Sequence, residues 1–172
     1  RQVAKGSLSE EDKVAALGRI RTGTVLEEAA ANADLLVEAA TENEELKKKI
    51  FRQMDAAAPA HCILATNTSS ISITRLAAVT SRPGKVIGMH FMNPVPMKPM
   101  VEVIRAFHTS EATIDRAKAF LADISKEGVV VNDMPGFVSN RVLMLTVNEA
   151  IFLLQDQVAT AADIDKIFKG CF

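Results

Sequence analysis

Short apolar runs alternate along the chain with segments whose apolar residues fall three or four positions apart. The first pattern suits buried strands and the second suits helices with one dry face. A helix is expected first over residues 9–20, where Ser7 and Glu10 have capping-box spacing. Residues 34–40 form an apolar run with Glu38 near its end, which predicts a buried parallel strand. A helix over 44–58 follows. Leu46, Ile50 and Met54 lie one turn apart with Phe51 beside them, and Glu44–Lys48 and Glu45–Lys49 can pair on its wet face. Residues 62–66 predict a strand, 72–79 a short helix and 85–89 another strand. After the Pro-rich loop 93–99, residues 100–104 predict a strand that returns from the loop. A helix over 111–126 carries Ile114, Ala117, Leu121 and Ile124 on one face and ends at Gly128, and 129–131 is a strand. Repeated alternation of this kind predicts an α/β fold, a doubly wound sheet.

The pattern changes near residues 132–135. From Phe137 to Leu154 the chain is almost all apolar at helix length, which predicts a helix buried in the heart of a second, helical domain. A further helix is expected over 163–168, with Thr160 or Ala161 near its cap. The chain therefore divides into residues 1–133 and 134–172.

Composition narrows the function classes. With 20 Lys plus Arg against 21 Asp plus Glu, the net charge is −1 over 172 residues, and no basic nucleic-acid face or polybasic membrane patch is expected. The most apolar stretch, residues 142–154, is broken by Asn148 and Glu149, so no membrane span is expected. Cys62 and Cys171 have no Cys or His partner at metal spacing and read as reduced thiols of an intracellular protein. The chain opens on Arg1, ends without a polar tail, and has no glycine between Gly23 and Gly84. These features suggest a fragment cut at both ends.

Several residues could carry chemistry. His90 directly follows a strand, and Glu102 comes 12 residues later on the returning strand. A carboxylate on one imidazole nitrogen fixes the tautomer and raises the basicity of the other, which makes a general base. Spacing alone slightly favours the other reading, a satisfied core histidine and an unrelated surface glutamate. Residues 66–70, Thr-Asn-Thr-Ser-Ser, put hydroxyls and an amide at the carboxyl end of a strand, where open α/β sheets bind ligands; they could also cap the next helix. Glu42, Asn43 and Lys47 hold the same topological place, although Lys47, Lys48 and Lys49 alone read as a solvated helix face. Asn140, in an apolar helix, either bonds locally or faces a ligand; Arg141 reads as a structural ion pair, and His61 and His108 as surface residues. No G-x-G, nucleophile elbow or zinc pattern occurs.

Taken together, these segments resemble the L-3-hydroxyacyl-CoA dehydrogenase family, in its bacterial 3-hydroxybutyryl-CoA dehydrogenase branch. The carriers are residues 37–43, 66–70, 90–96, 101–104 and 133–141, in family order across essentially the whole chain. Ser69, His90, Glu102 and Asn140 fall at the separations of the family's catalytic serine, histidine, glutamate and asparagine. The resemblance implies NAD-dependent oxidation of a 3-hydroxyacyl-CoA on a Rossmann-like fold, with NADP left open. His90 would be the base held by Glu102. Ser69 and Asn140 would bind the substrate. Glu42, Lys47, Asn67, Ser69 and Asn93 would lie near the cofactor, and Lys5 near the CoA moiety. It also implies a cytoplasmic homodimer with no nucleic-acid or membrane partner.

The family's glycine-rich NAD turn has no counterpart here and is expected before Arg1, with further helices expected after Phe172. Residues 97–100, Met-Lys-Pro-Met, depart from the family's usual run while keeping register, which implies only a local change in the acyl pocket. Two other readings are a dehydrogenase of acyl-carrier-protein substrates and a non-catalytic relative of the lambda-crystallin kind. The intact Ser69, His90, Glu102 and Asn140 argue against the second. The unaltered contexts of Asn67 and His90 argue against the L-gulonate dehydrogenase branch.

Overall fold

A computed structural model describes residues 2–171. Its centre is a five-stranded sheet in the order β1 (Leu35–Glu38), β2 (Ile63–Thr66), β3 (Val86–Phe91), β4 (Met100–Arg105) and β5 (Glu127–Asn132). All neighbours are parallel except β3 and β4, which form an antiparallel hairpin. The helices are α1 (Glu10–Gly18), α2 (Leu26–Ala30), α3 (Glu44–Ala57), α4 (Ile73–Ala77), α5 (Glu111–Asp123), α6 (Ser139–Gln155) and α7 (Ala161–Cys171). None of the helices in the described residues is long and apolar enough to cross a membrane.

The strand alternation sorts side chains into two dry layers. Leu64, Val86 and Ile104 pack with Phe51, Met54, Ile73 and Leu76 of α3 and α4. Ile63, Ala65, Ile87, Met89, Val101 and Val103 pack with Ile114, Ala117 and Leu121 of α5. Each fully buried Leu, Ile or Phe contributes about 1.5–3 kcal/mol relative to exposure. Gly88 lets α4 approach β3. A Cβ there would lie 2.8 Å from the Ile104 Cβ and 3.0 Å from the Ile73 Cδ1.

The expected strands and long helices are present, with five differences of detail. The cap of α1 is Ser9, which accepts the Asp12 N–H at 3.0 Å, so the capping pair sits two residues beyond Ser7. The short helix α2 has too few residues for a periodic signal. The buried face of α3 is Lys47, Phe51 and Met54, rotated from the expected one, and Leu46 is exposed. Helix α5 ends before Gly128, with Ser125 at φ 57°. There the N–H groups of Ser125 and Lys126 bond back to Ala122 and Leu121, a Schellman closure made with serine, and Gly128 lies inside β5.

The fifth difference is the largest. Helix α6 is not buried: Val142, Leu143, Met144, Leu145 and Ile151 are all more than half exposed. An all-round apolar helix is buried only where partners surround it. Among the described residues the helix packing on α6 is α7.

Candidate active site

Cross-strand pairing makes the centre of the site. In the β3–β4 ladder His90 stands opposite Glu102, and directly paired residues have side chains roughly 5 Å apart on one face. His90 Nδ1 lies 2.8 Å from Glu102 Oε2, and both residues are buried. The carboxylate can only accept, so Nδ1 carries a proton, and in the neutral imidazole Nε2 is left with a lone pair. Ser69 Oγ lies 3.1 Å from Nε2 and donates to it. Phe137 covers the ring edge-on, with centroids 5.8 Å apart. Its backbone (φ 47°) follows Gly136 (φ 76°) into the left-handed region. That strain is of order 1–3 kcal/mol for a residue with a side chain.

Glu102 also joins the sheet to α6. Its Oε1 accepts the N–H groups of Val138 and Ser139 at 3.0 and 2.9 Å, and its Oε2 accepts the Ser139 hydroxyl at 2.8 Å. One carboxylate thus satisfies two orphan donors at the helix start and fixes the imidazole. Burial pushes the Glu102 carboxyl up. The hydrogen bonds from His90, Ser139 and Val138 outweigh it and hold the group below the ordinary carboxylate range. Ser139, Val138 and Phe137 were not singled out from the sequence. The signal for Ser139 was its place in the first turn of a helix, where a hydroxyl commonly bonds a neighbouring group.

Ser69 is held from both sides. The Asn140 side chain donates to its carbonyl at 2.9 Å, so Asn140 neither caps its own helix nor stands free. Glu42 Oε1 accepts from the Ser69 and Ser70 N–H groups, both at 2.9 Å, and from the Thr68 and Ser70 hydroxyls at 2.5 and 2.9 Å. Burial raises the Glu42 carboxyl, and these bonds from Thr68, Ser70 and Ser69 more than offset it, leaving it lowered. The 66–70 cluster does not cap α4. Ser72 does, accepting the Arg75 N–H, while Asp133 takes the Thr74 N–H. Asn67 Oδ1 accepts the Phe91 N–H at 2.9 Å and ties β2 to β3.

Other expected residues fall differently. Lys47 is not on a solvated face. Its ammonium is buried on Glu38, because position 47 shares a helix face with Phe51 and Met54. Arg141 is exposed and enters none of the ion pairs found among the described residues, so the expected structural ion pair is absent there. Asn93 is exposed on the loop after β3. Lys5 is exposed in the N-terminal turn Val3–Lys5 and shares none of the site's hydrogen bonds. A cavity of about 640 Å³ opens beside Ser69 and Asn140, with Ser70, Pro135, Gly136, Arg141, Met144 and Leu145 on its walls.

Residues 1–134 match the model of the 3-hydroxyacyl-CoA dehydrogenase NAD binding domain, and residues 136–172 that of the 3-hydroxyacyl-CoA dehydrogenase C-terminal domain. The chain belongs to the 3-hydroxyacyl-CoA dehydrogenase family. Among family members, it is 47% identical over 169 residues to a probable 3-hydroxybutyryl-CoA dehydrogenase of Bacillus subtilis, covering 98% of this chain and 58% of that protein. The human mitochondrial hydroxyacyl-coenzyme A dehydrogenase is 38% identical over 175 residues, covering 98% and 56%. The crystal structure of (S)-3-hydroxybutyryl-CoA dehydrogenase from Ralstonia eutropha superposes with a TM-score of 0.94 at 45% identity, covering 99% of this chain and 60% of that one. The chain thus spans less than two thirds of the length of these relatives.

Proposed function

We propose that the protein carrying this chain is an NAD-dependent 3-hydroxyacyl-CoA dehydrogenase that acts reversibly on short substrates such as 3-hydroxybutyryl-CoA. The observation that carries this reading is the imidazole of His90. It is locked at Nδ1 by Glu102, and its Nε2 is open toward Ser69.

The strand ends fit the sugar and amide part of a dinucleotide. Ser69, Asn93 and the open side of Glu42 are exposed there, with Asn67 half-buried behind them. The phosphates have no glycine-rich cradle among the described residues. Lys47, turned inward, would reach the cofactor only through Glu42. When bound, NAD supplies the hydride acceptor.

His90 Nε2 takes the proton from the substrate 3-hydroxyl in oxidation and returns it to the 3-keto oxygen in reduction. Glu102 keeps the proton on Nδ1 and stabilises the imidazolium formed at that step. Ser69 shifts its hydroxyl from Nε2 to the reacting oxygen, donating to the charge that develops there. Asn140 orients the substrate side of the cleft, whose Met144 and Leu145 offer apolar surface to an acyl chain. Residues 1–133 supply the base and the cofactor face, and residues 134–172 the opposing wall; the exposed face of α6 is the candidate self-association surface of a homodimer.

Turnover of acetoacetyl-CoA with NADH, followed by loss of NADH absorbance in the intact protein, tests the reading. Turnover on the CoA thioester supports it. Turnover confined to an acetoacetyl group on a carrier protein transfers the reading to that handle, and turnover on neither sinks it.

A further inference from the structure

Glu38 and Lys47 form a charge pair that the proton-transfer chemistry does not use. Both side chains are 1% exposed. Lys47 Nζ donates to both Glu38 oxygens at 2.8 Å and to the Ala40 carbonyl at 3.0 Å, which occupies all three ammonium donors. Glu38 also accepts from the Thr66 hydroxyl at 2.8 Å. A buried ion pair is weak evidence for stability as such, because desolvation offsets most of its attraction. Its neighbour gives it a use. Glu42 Oε2 lies 3.7 Å from the same ammonium.

The other Glu42 oxygen is the four-donor acceptor of the 68–70 turn. An amide oxygen would be a weaker acceptor for four donors than a carboxylate, whose hydrogen bonds are charge-assisted. A glutamine in that place would also bring its NH₂ toward the ammonium. With its N–H held by Glu42 and its carbonyl by Asn140, the Ser69 backbone is fixed on both sides of its Cα, which keeps the hydroxyl within reach of His90 Nε2.

We propose that Glu42, backed by the buried Glu38–Lys47 pair, is a positioning residue that aims the Ser69 hydroxyl at the reacting oxygen, in addition to any contact with the cofactor. The proposal rests on the dehydrogenase reading above for what Ser69 does, but not for how Ser69 is held.

The test is a double-mutant cycle of Glu42→Gln and Ser69→Ala in the intact protein, joined to amide hydrogen exchange at Ser69 and Ser70. Glu42→Gln is expected to lower kcat by about 10- to 100-fold, the scale of a misplacement near 1 Å, with less than about 3-fold change in the KM for NADH. In the Ser69→Ala background the same change is expected to cost less than about 2-fold, because two residues acting as one unit are not additive. Exchange at the two amides is expected to quicken at least about tenfold in Glu42→Gln, since a free carboxylate acceptor no longer closes them.

Full multiplication of the two kcat effects, or an effect confined to the KM for NADH, would make Glu42 a cofactor contact only and overturn the proposal. Unchanged amide exchange would overturn it as well. Glu42→Asp, which keeps the charge but draws it back by one methylene, is expected to quicken exchange in the same way, and it decides the matter should the glutamine variant fail to fold. If the wild-type protein turns over no hydroxyacyl or ketoacyl thioester, the dehydrogenase reading falls, and the exchange data still decide whether Glu42 holds the turn.

Discussion

Around the carboxyl ends of β1, β2 and β3 and the facing amino-terminal half of β4, five charged or polar side chains are buried: Glu38, Lys47 of α3, Thr66, His90 and Glu102 are all below 9% exposed. Along α6 eight large apolar side chains are left in the open, from Val147 at 44% to Leu145 at 66%. The first region buries charge because each group has a specific partner within hydrogen-bond distance. The second exposes grease because, among the described residues, little but α7 packs on it. Burial therefore follows available partners rather than residue type.

The comparison is broken most violently at His90. His90→Ala is expected to lower turnover by about 10²–10⁴-fold, the range of a lost general base, with a much smaller change in substrate binding. Steady-state kinetics on the intact protein would separate the two, and surviving turnover would remove His90 from the mechanism. Next in size is the dry layer beneath the site. Leu64→Ala is expected to cost about 2–5 kcal/mol of stability in chemical denaturation, since Leu64 is fully buried.

A third test uses pH. The carboxyls of Glu102, Glu42 and Asp55, the last of these on α3 and bonded by the Ser81 N–H and the Arg82 guanidinium, are held below the ordinary range because their hydrogen bonds outweigh burial, so the unfolded chain binds protons more readily than the folded one. Their contribution is present above the unfolded carboxyl pKa and is lost as pH falls through the lower, folded values. Thermal melts between pH 7 and pH 3 are expected to show that loss, with a shallower slope in Glu102→Gln. A slope unchanged by that substitution would mean Glu102 is not among the groups that drive it.

The smallest effect is expected on α6. Within a single protomer, Leu145→Lys should change the unfolding free energy by no more than about 0.5 kcal/mol, as surface substitutions do, and in the intact protein it should shift the assembly toward single chains in analytical ultracentrifugation. A loss above about 2 kcal/mol would show that this face is covered in the intact protein.

The same contrast explains what the sequence revealed. Strand runs such as 62–66 and 85–89 were legible because apolar side chains occupy both faces of a covered sheet. His90 and Glu102 were legible as a pair because a hairpin of that span returns one strand beside the other. Lys47 misled because a run of three lysines looks wet. Its i+4 and i+7 neighbours, Phe51 and Met54, were the signal that it turns inward. Helix α6 misled in the opposite sense. An apolar pattern records that a surface wants cover and is silent on what supplies it. The Glu42 clasp on the 68–70 turn was invisible for another reason. It joins residues 26 to 28 positions apart, half through the hydroxyls of Thr68 and Ser70 and half through the Ser69 and Ser70 N–H groups, which every sequence offers equally.

The hairpin of β3 and β4 has a consequence for how such a protein can diversify. His90 and Glu102 meet through a main-chain ladder, so their separation is set by the spacing of two strands and owes nothing to the residues at the tip. The tip, residues 92–99, is exposed over most of its length. Changes there can alter the loop's length and chemistry while the His90–Glu102 pair stays in place. The spacing of the pair and the sequence of the loop are thus set on two separable pieces of one supersecondary unit, and a changed loop need not loosen the grip of Glu102 on the imidazole.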